Sequence, residues 1–263
     1  MSETATRPPL DAPASAYSPE WIADHLAAER RASALLGEIR EVVFGAQDGL
    51  VSTLAVVATV AGATGQAFPV IVAGVASGLA GVFSMAAGEY IGSKSQREIF
   101  DAQIHEERQE IEERSGEAEA EVAYMLAEEG LGEEDANRIA AVMARHPEVL
   151  LRTMVTRELG IQVDDQGGSV LRGALFMGAA FGLGATVPIL PFLLLPVGMA
   201  IPAAVVATGL VLFGIGVVKS RWAHRSALSS GLEVLVLAAV AGIAGYLFGT
   251  VLPRLLGVAG IAA

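Results

Sequence analysis

An aspartate, Asp48, stands inside the first long apolar stretch of this 263-residue chain. If the stretch began at Gly49, with Asp48 as a helix N-cap, only Leu50 to Gly62 would remain. That is about 13 residues, too few for a hydrocarbon core about 30 Å thick. Beginning at Val42 gives a full span and sets Asp48 about six residues, or ~9 Å, inside it. A carboxylate there costs roughly 2.5–3.5 kcal/mol on insertion scales, and such groups usually face a polar pathway. Met85 and Glu89 stand four residues apart in the second apolar stretch and share a helix face. Counted from the opposite end, Met85 falls at the same expected depth as Asp48. A thioether and carboxylates suit a borderline transition metal better than Ca²⁺ or Mg²⁺, which take oxygen ligands. The plainer alternatives are core or lipid packing for Met85 and an interfacial helix end for Glu89.

Carboxylates also concentrate in residues 94–160, which hold 17 of the 29 Asp/Glu but 8 of the 17 Lys/Arg, and so −9 of the −12 net charge. Glu106, Glu110, Glu113, Glu117 and Glu121 recur at helical spacing and predict one continuous acidic stripe, with Glu107 three residues from Glu110. Like charges this dense repel on an exposed helix, and a divalent cation would relieve them. The alternative is a solvated charged face. Met154 and Glu158 repeat the Met–Glu pairing at i, i+4. His105 and His146 read as surface residues.

The elements that must position these groups are helices. Five apolar stretches, at about 42–62, 68–91, 170–190, 197–218 and 232–252, reach the roughly 20 residues that a span needs. Residues 1–17 are rich in Pro, Ala and Ser/Thr and are expected to be disordered. Over 18–41, Ser18 can cap a helix opened by Pro19, with Trp21, Ile22, His25 and Leu26 on one side. This segment reads as an amphipathic helix leading into the membrane. Residues 42–93 then hold spans one and two, 94–160 an acidic helical domain of two or three helices broken at Gly130–Gly132, and 161–263 spans three to five. Arg30, Arg31, Arg40, Lys94, Arg97, Arg172, Lys219, Arg221 and Arg225 all fall on one side. The excess of Lys/Arg on cytoplasmic loops then puts the N-terminus and the acidic domain in the cytoplasm and the C-terminus outside. Gly74/Gly78, Gly178/Gly182 and Gly242 near Gly245 permit close helix packing, within one subunit or between two. The fold class expected is all-α: a polytopic membrane protein with five transmembrane helices and a cytoplasmic helical metal-binding domain between helices two and three.

Composition excludes other classes. A mean hydropathy of +0.53 and 17% charged residues lie outside the usual soluble range. With no cysteine, thiolate metal sites and disulfide frameworks are ruled out. Four scattered His cannot build a multi-His zinc centre. Net acidity argues against nucleic acid as the partner. A di-iron carboxylate enzyme would want Glu-x-x-His motifs, but Ala102 and Met143 precede His105 and His146 by three residues. No enzyme activity and no prosthetic group are expected.

Several segments resemble the vacuolar iron transporter family. Val43-Phe-Gly-Ala-Gln-Asp48-Gly-Leu-Val-Ser-Thr53 is similar to its first-helix signature, and Ser84-Met-Ala-Ala-Gly-Glu-Tyr90 with Ser95-Gln96 to the end of its second helix. Glu158-Leu-Gly160 resembles the end of its cytoplasmic domain, and Gly184-Ala-Thr-Val-Pro188 with Pro191 its third helix. The resemblance covers about residues 38–255. It implies a homodimer of five-helix subunits that moves Fe²⁺, and often Mn²⁺, out of the cytoplasm in exchange for protons. The ion path it implies is lined by Asp48 and Met85. The cytoplasmic metal site falls on Glu107 and Glu110, on Glu121, and on Met154 and Glu158. One acidic position of that pattern falls here on Ala118, and Glu117, which shares a face with Glu121, is the expected substitute. The plasma membrane is the expected location, with a vacuole-like membrane as alternative. The competing reading is a membrane-anchored metal-binding or sensing module without transport.

Overall fold

The structure is a computed structural model, and it describes residues 13–160, 169–223 and 226–255. Apart from one 3-10 turn at Ala14–Ala16, every regular element among them is an α-helix: α1 Pro19–Thr64, α2 Ala67–Glu113, α3 Ser115–Glu128, α4 Glu133–Met143, α5 Pro147–Arg157, α6 Val170–Leu194, α7 Val197–Ala223 and α8 Ala227–Leu255. Of the segment expected to be disordered, residues 1–12 lie outside the described residues, as do His224 and Arg225.

Local chemistry sets the ends of α1. Ser18 is extended, and its Oγ accepts from the Trp21 N–H at 3.2 Å, while Pro19 takes the first position, where no N–H is needed. Gly65 closes the helix at φ 63°, a left-handed conformation that costs glycine nothing, and its N–H donates to the Ala61 carbonyl. Between them α1 runs 46 residues without a break. At 1.5 Å per residue that is about 70 Å, more than twice the membrane core. Among the described residues, α1, α2, α6 and α7 are each long and apolar enough to cross a bilayer.

The chain divides into two compact units, Met1–Ala87 with Gly173–Ala263, and Gly88–Arg172. In the first, backbone meets backbone through glycine. A Cβ on Gly45 or Gly49 would run into the carbonyl oxygens of Met177 or Phe181, and one on Gly184 into that of Ala46. α2 also comes in close through glycine, but mainly against side chains. A Cβ on Gly74 would come 2.9 Å from side-chain atoms of both Val57 and Ile189, and Gly178 lies against Val82 and Ala86. Gly74 and Gly178 thus serve packing within one chain. Above and beside these seams, Leu54, Val57 and Ala61 of α1 share an apolar cluster with Ile189 and Phe192 of α6 and Ala200 and Ala204 of α7. Large apolar side chains face outward, among them Phe68 (76% exposed), Phe83 (72%) and Leu183 (72%). Water would penalise such a surface, whereas hydrocarbon would not.

The second unit has its own core. Val122 and Leu126 of α3, Ala136 and Ala140 of α4, and Leu150, Met154 and Val155 of α5 are buried together with Ile111 of α2. Arg108 donates to Glu148 at 3.3 Å, and Arg157 pairs with Glu129.

The continuous acidic stripe expected across 106–121 is not what forms. α2 ends at Glu113, Arg114 adopts φ −137°, ψ 51°, and α3 starts afresh at Ser115. The turn lets α3 fold so that Ala118, fully buried, enters the core. An acidic rod would have left that apolar face in water.

Candidate metal sites

In the first unit, Asp48 and Met85 can be placed against α6. Gly45 and Gly49, which flank Asp48 on α1, meet Met177, Ala180 and Phe181. Val82 and Ala86, which flank Met85 on α2, meet Gly178, and Gly81 abuts the Phe181 ring. The turns that carry the two candidates therefore both pack on one stretch of α6, residues 177–181, and Asp48 and Met85 are half-buried. Asp48's own carbonyl accepts from Ser52 Oγ at 2.6 Å. Such an i−4 bond from serine draws the hydroxyl onto the backbone and slightly loosens the helix.

The other candidates lie in the second unit. Near its start, Glu89 holds Ser93, whose Oγ donates to Glu89 Oε1 at 2.5 Å. Glu107 is the buried carboxylate of the set: 7% exposed, with its Oε1 lacking any hydrogen-bond partner. Its pKa is pushed up to about 7, first by burial and then by the negative charges of Glu158, Glu110 and Glu121. Burial, with Glu158, Glu110 and Glu117, also raises Glu121. The structure thus brings Glu107, Glu110, Glu117, Glu121 and Glu158 into one electrostatic neighbourhood drawn from α2, α3 and the end of α5. Among the described residues, no three His, Asp or Glu side chains converge closely enough to form a ready-made metal cage.

A cleft of about 390 Å³ opens beside this cluster, lined by Glu117, Ala120, Glu121, Tyr124, Met125 and Glu158. Glu117 accepts from Arg114 at 3.3 Å, so the residue expected to replace Ala118 is already ion-paired. Met154 is fully buried in the core, one turn before Glu158, whose N–H donates to the Met154 carbonyl. Its sulfur therefore has a packing role whatever else it does. His105 and His146 are exposed. Sequence reasoning missed Tyr124 and Met125 as lining of the cleft and Arg114 as the ion-pair partner of Glu117. The donor chemistry suits a divalent cation: crowded carboxylates, one with an orphaned buried oxygen, which cation binding would relieve.

Long apolar helices with outward-facing side chains define an integral membrane protein, and the same chain carries a separate acidic helical unit. Comparison with known proteins gives the family. A sequence model of the VIT family matches residues 39–250, and the chain belongs to that family. Vacuolar iron transporter 1 of Arabidopsis thaliana is 32% identical over 212 residues, covering 80% of this chain and 84% of the relative. Vacuolar iron transporter 1 of Eucalyptus grandis is 30% identical over 212 residues, 80% and 85% of the two chains. The vacuolar iron transporter of Plasmodium falciparum is more distant, at 24% over 223 residues, 81% and 82%.

Proposed function

We propose that this chain exports Fe²⁺ and/or Mn²⁺ from the cytoplasm by proton antiport, as a homodimer of subunits with five transmembrane helices. In this reading α8 is the fifth span, the N-terminus and the acidic unit are cytoplasmic, and the C-terminus is outside. Asp48 and Met85 line the ion path, and Glu89 lies at its cytoplasmic end. Glu107, Glu110, Glu117, Glu121, Met154 and Glu158 gather the metal from the cytoplasm. The plasma membrane is the proposed location. The relatives' names point to a vacuole-like membrane as the alternative, and metal leaves the cytoplasm in either.

The observation that supports the reading is that the helix turns bearing Asp48 and Met85 both pack on α6 between Met177 and Phe181. A membrane anchor has no use for an intramembrane carboxylate on such a turn. Proton coupling draws support from Glu107, whose pKa of about 7 makes protons and metal compete for one oxygen pair near neutral pH. Below that value the proton holds the site; above it the carboxylate is free to bind a cation.

Proteoliposome uptake of Fe²⁺ and Mn²⁺ under an imposed pH gradient tests the proposal. Flux is expected in the native protein and lost in Asp48→Asn and Met85→Ala. Metal binding without flux in the native protein would make it a sensing module instead, and undiminished flux in Asp48→Asn would remove the proposed path.

A further inference from the structure

Two hydroxyls in the first unit break a local rule. Ser52, Thr59 and Thr64 of α1 each donate to the carbonyl four residues back, at 2.6, 2.7 and 2.8 Å. Thr53 of α1 and Thr208 of α7 do not. Both are 0% exposed, and neither Oγ1 has a hydrogen-bond partner. A buried hydroxyl without a partner carries a desolvation penalty of about 1–3 kcal/mol, so protein interiors almost always satisfy one.

The two stand at one level. Leu50 of α1 clusters with Leu212 of α7, and Leu54 and Val57 share a cluster with Ala204. Thr53 lies beside Leu54, and Thr208 lies one turn from both Ala204 and Leu212. Thr53 is also one turn above Gly49, which meets α6, so it faces the seam where α1, α6 and α7 join. On α6 that level holds two prolines inside a continuing helix, Pro188 and Pro191. Pro188 has no N–H to give the Gly184 carbonyl, and Pro191 has none for that of Val187. Val187 packs against the Leu50–Leu212 cluster, and Pro188 is buried.

We propose that Thr53, Thr208 and the carbonyl oxygens of Gly184 and Val187 form a buried hydration site between α1, α6 and α7. Its ligand is water. Two hydroxyls that can each donate or accept, with two carbonyl acceptors, supply the two to four partners that an internal water takes. A metal ion would find four neutral oxygens and no carboxylate. Asp48 is about 140° around α1 from Thr53, so its face of the helix is a different one.

The experiment is X-ray radiolytic labelling of the full chain in liposomes, with radical scavenger outside, together with thermal unfolding. Water at the site labels Leu50 and Leu212, both 0% exposed, while Val70, equally buried in the apolar cluster, stays unlabelled. Thr53→Val and Thr208→Val each reduce the labelling and lower the unfolding midpoint by a few degrees, and the double variant, which leaves the water no donor, abolishes the labelling. Thr53→Ser and Thr208→Ser keep the hydroxyl and the labelling, which preserves the test if a valine variant does not fold. Leu50 and Leu212 remaining unlabelled in the native protein overturns the site, including the case of a direct bond between the two threonines. A valine variant with an unchanged or raised midpoint overturns it too, because it shows the hydroxyl was dry.

Discussion

Replacing Glu107 with Gln should make the metal-free second unit more stable at about pH 8 and leave it nearly unchanged at about pH 4. The magnitude follows from the site. Raising a carboxyl from 4.5 to about 7 costs its ionised form roughly 3 kcal/mol once the pH is above both values. The sign follows from the protons. Between those values the folded chain keeps a proton on Glu107 that the unfolded chain has released, so stability falls as pH rises through the window. It is flat below the unfolded value and flat again above the folded one. A loss of roughly 3 kcal/mol corresponds to about a hundredfold in local opening. Hydrogen exchange of the α3 and α5 amides in the full chain with chelator, corrected for intrinsic rates, reads that factor directly. Native protein should lose about two orders of magnitude of protection across the window, and Glu107→Gln should lose less, keeping the part that Glu121, also raised, contributes. Adding Mn²⁺ at the upper pH should restore protection in the native chain, because a ligand bound only by the folded state stabilises it. Equal protection at both ends of the window in metal-free native protein would refute the reasoning. So would an unaltered slope in Glu107→Gln.

Other outcomes follow from the same geometry. Met154→Ala should destabilise the metal-free chain by about 2–5 kcal/mol in thermal unfolding, since it empties a fully buried site. Met154→Leu should restore most of that stability while leaving Mn²⁺ binding weakened in calorimetry, separating the packing role from the donor role. Arg114→Ala should free Glu117 from its ion pair and tighten Mn²⁺ binding a few-fold, the effect shrinking at high salt because the pair is exposed. Gly49→Ala should lower the unfolding midpoint, with a cost of about 1–3 kcal/mol, because the added methyl meets the Phe181 carbonyl and the two backbones must separate.

Much of this architecture was legible in the residues, and the illegible parts have identifiable reasons. Apolar run lengths announced the long helices, and Ser18 and Pro19 marked the start of α1 because capping chemistry is local, whereas the continuity of 18–41 with the first span was not read. The matched depth of Asp48 and Met85 is an expectation from counting, since helical rise is constant, and the packing of both turns on α6 could not be inferred that way. The break at Arg114 was masked by the glutamate spacing that runs through it: Ser115-Gly116 just after it is a turn signal, and α3 then buries Ala118 and Val122. For the same reason sequence spacing could not separate Glu107, which is buried, from its exposed neighbour Glu106. The Ala118 position is core in this chain, with the acid one residue earlier on the cleft. Thr53 and Thr208 drew no reading as polar sites, because a threonine in an apolar helix ordinarily satisfies itself on its own backbone.

The glycine seam between α1 and α6 bears on how such a protein could move. Gly45, Gly49 and Gly184 bring main chain against main chain with no side chain between them to change rotamer or slide. Packed surfaces of that kind hold one arrangement or come apart; they do not yield by degrees. The pair is effectively a welded joint, and any opening and closing within this unit is left to the helices joined through softer side-chain contacts, α2 on one flank and α7 on the other. Spin labels on α1 and α6 should keep their separation through a turnover cycle in which labels on α2 or α7 do not.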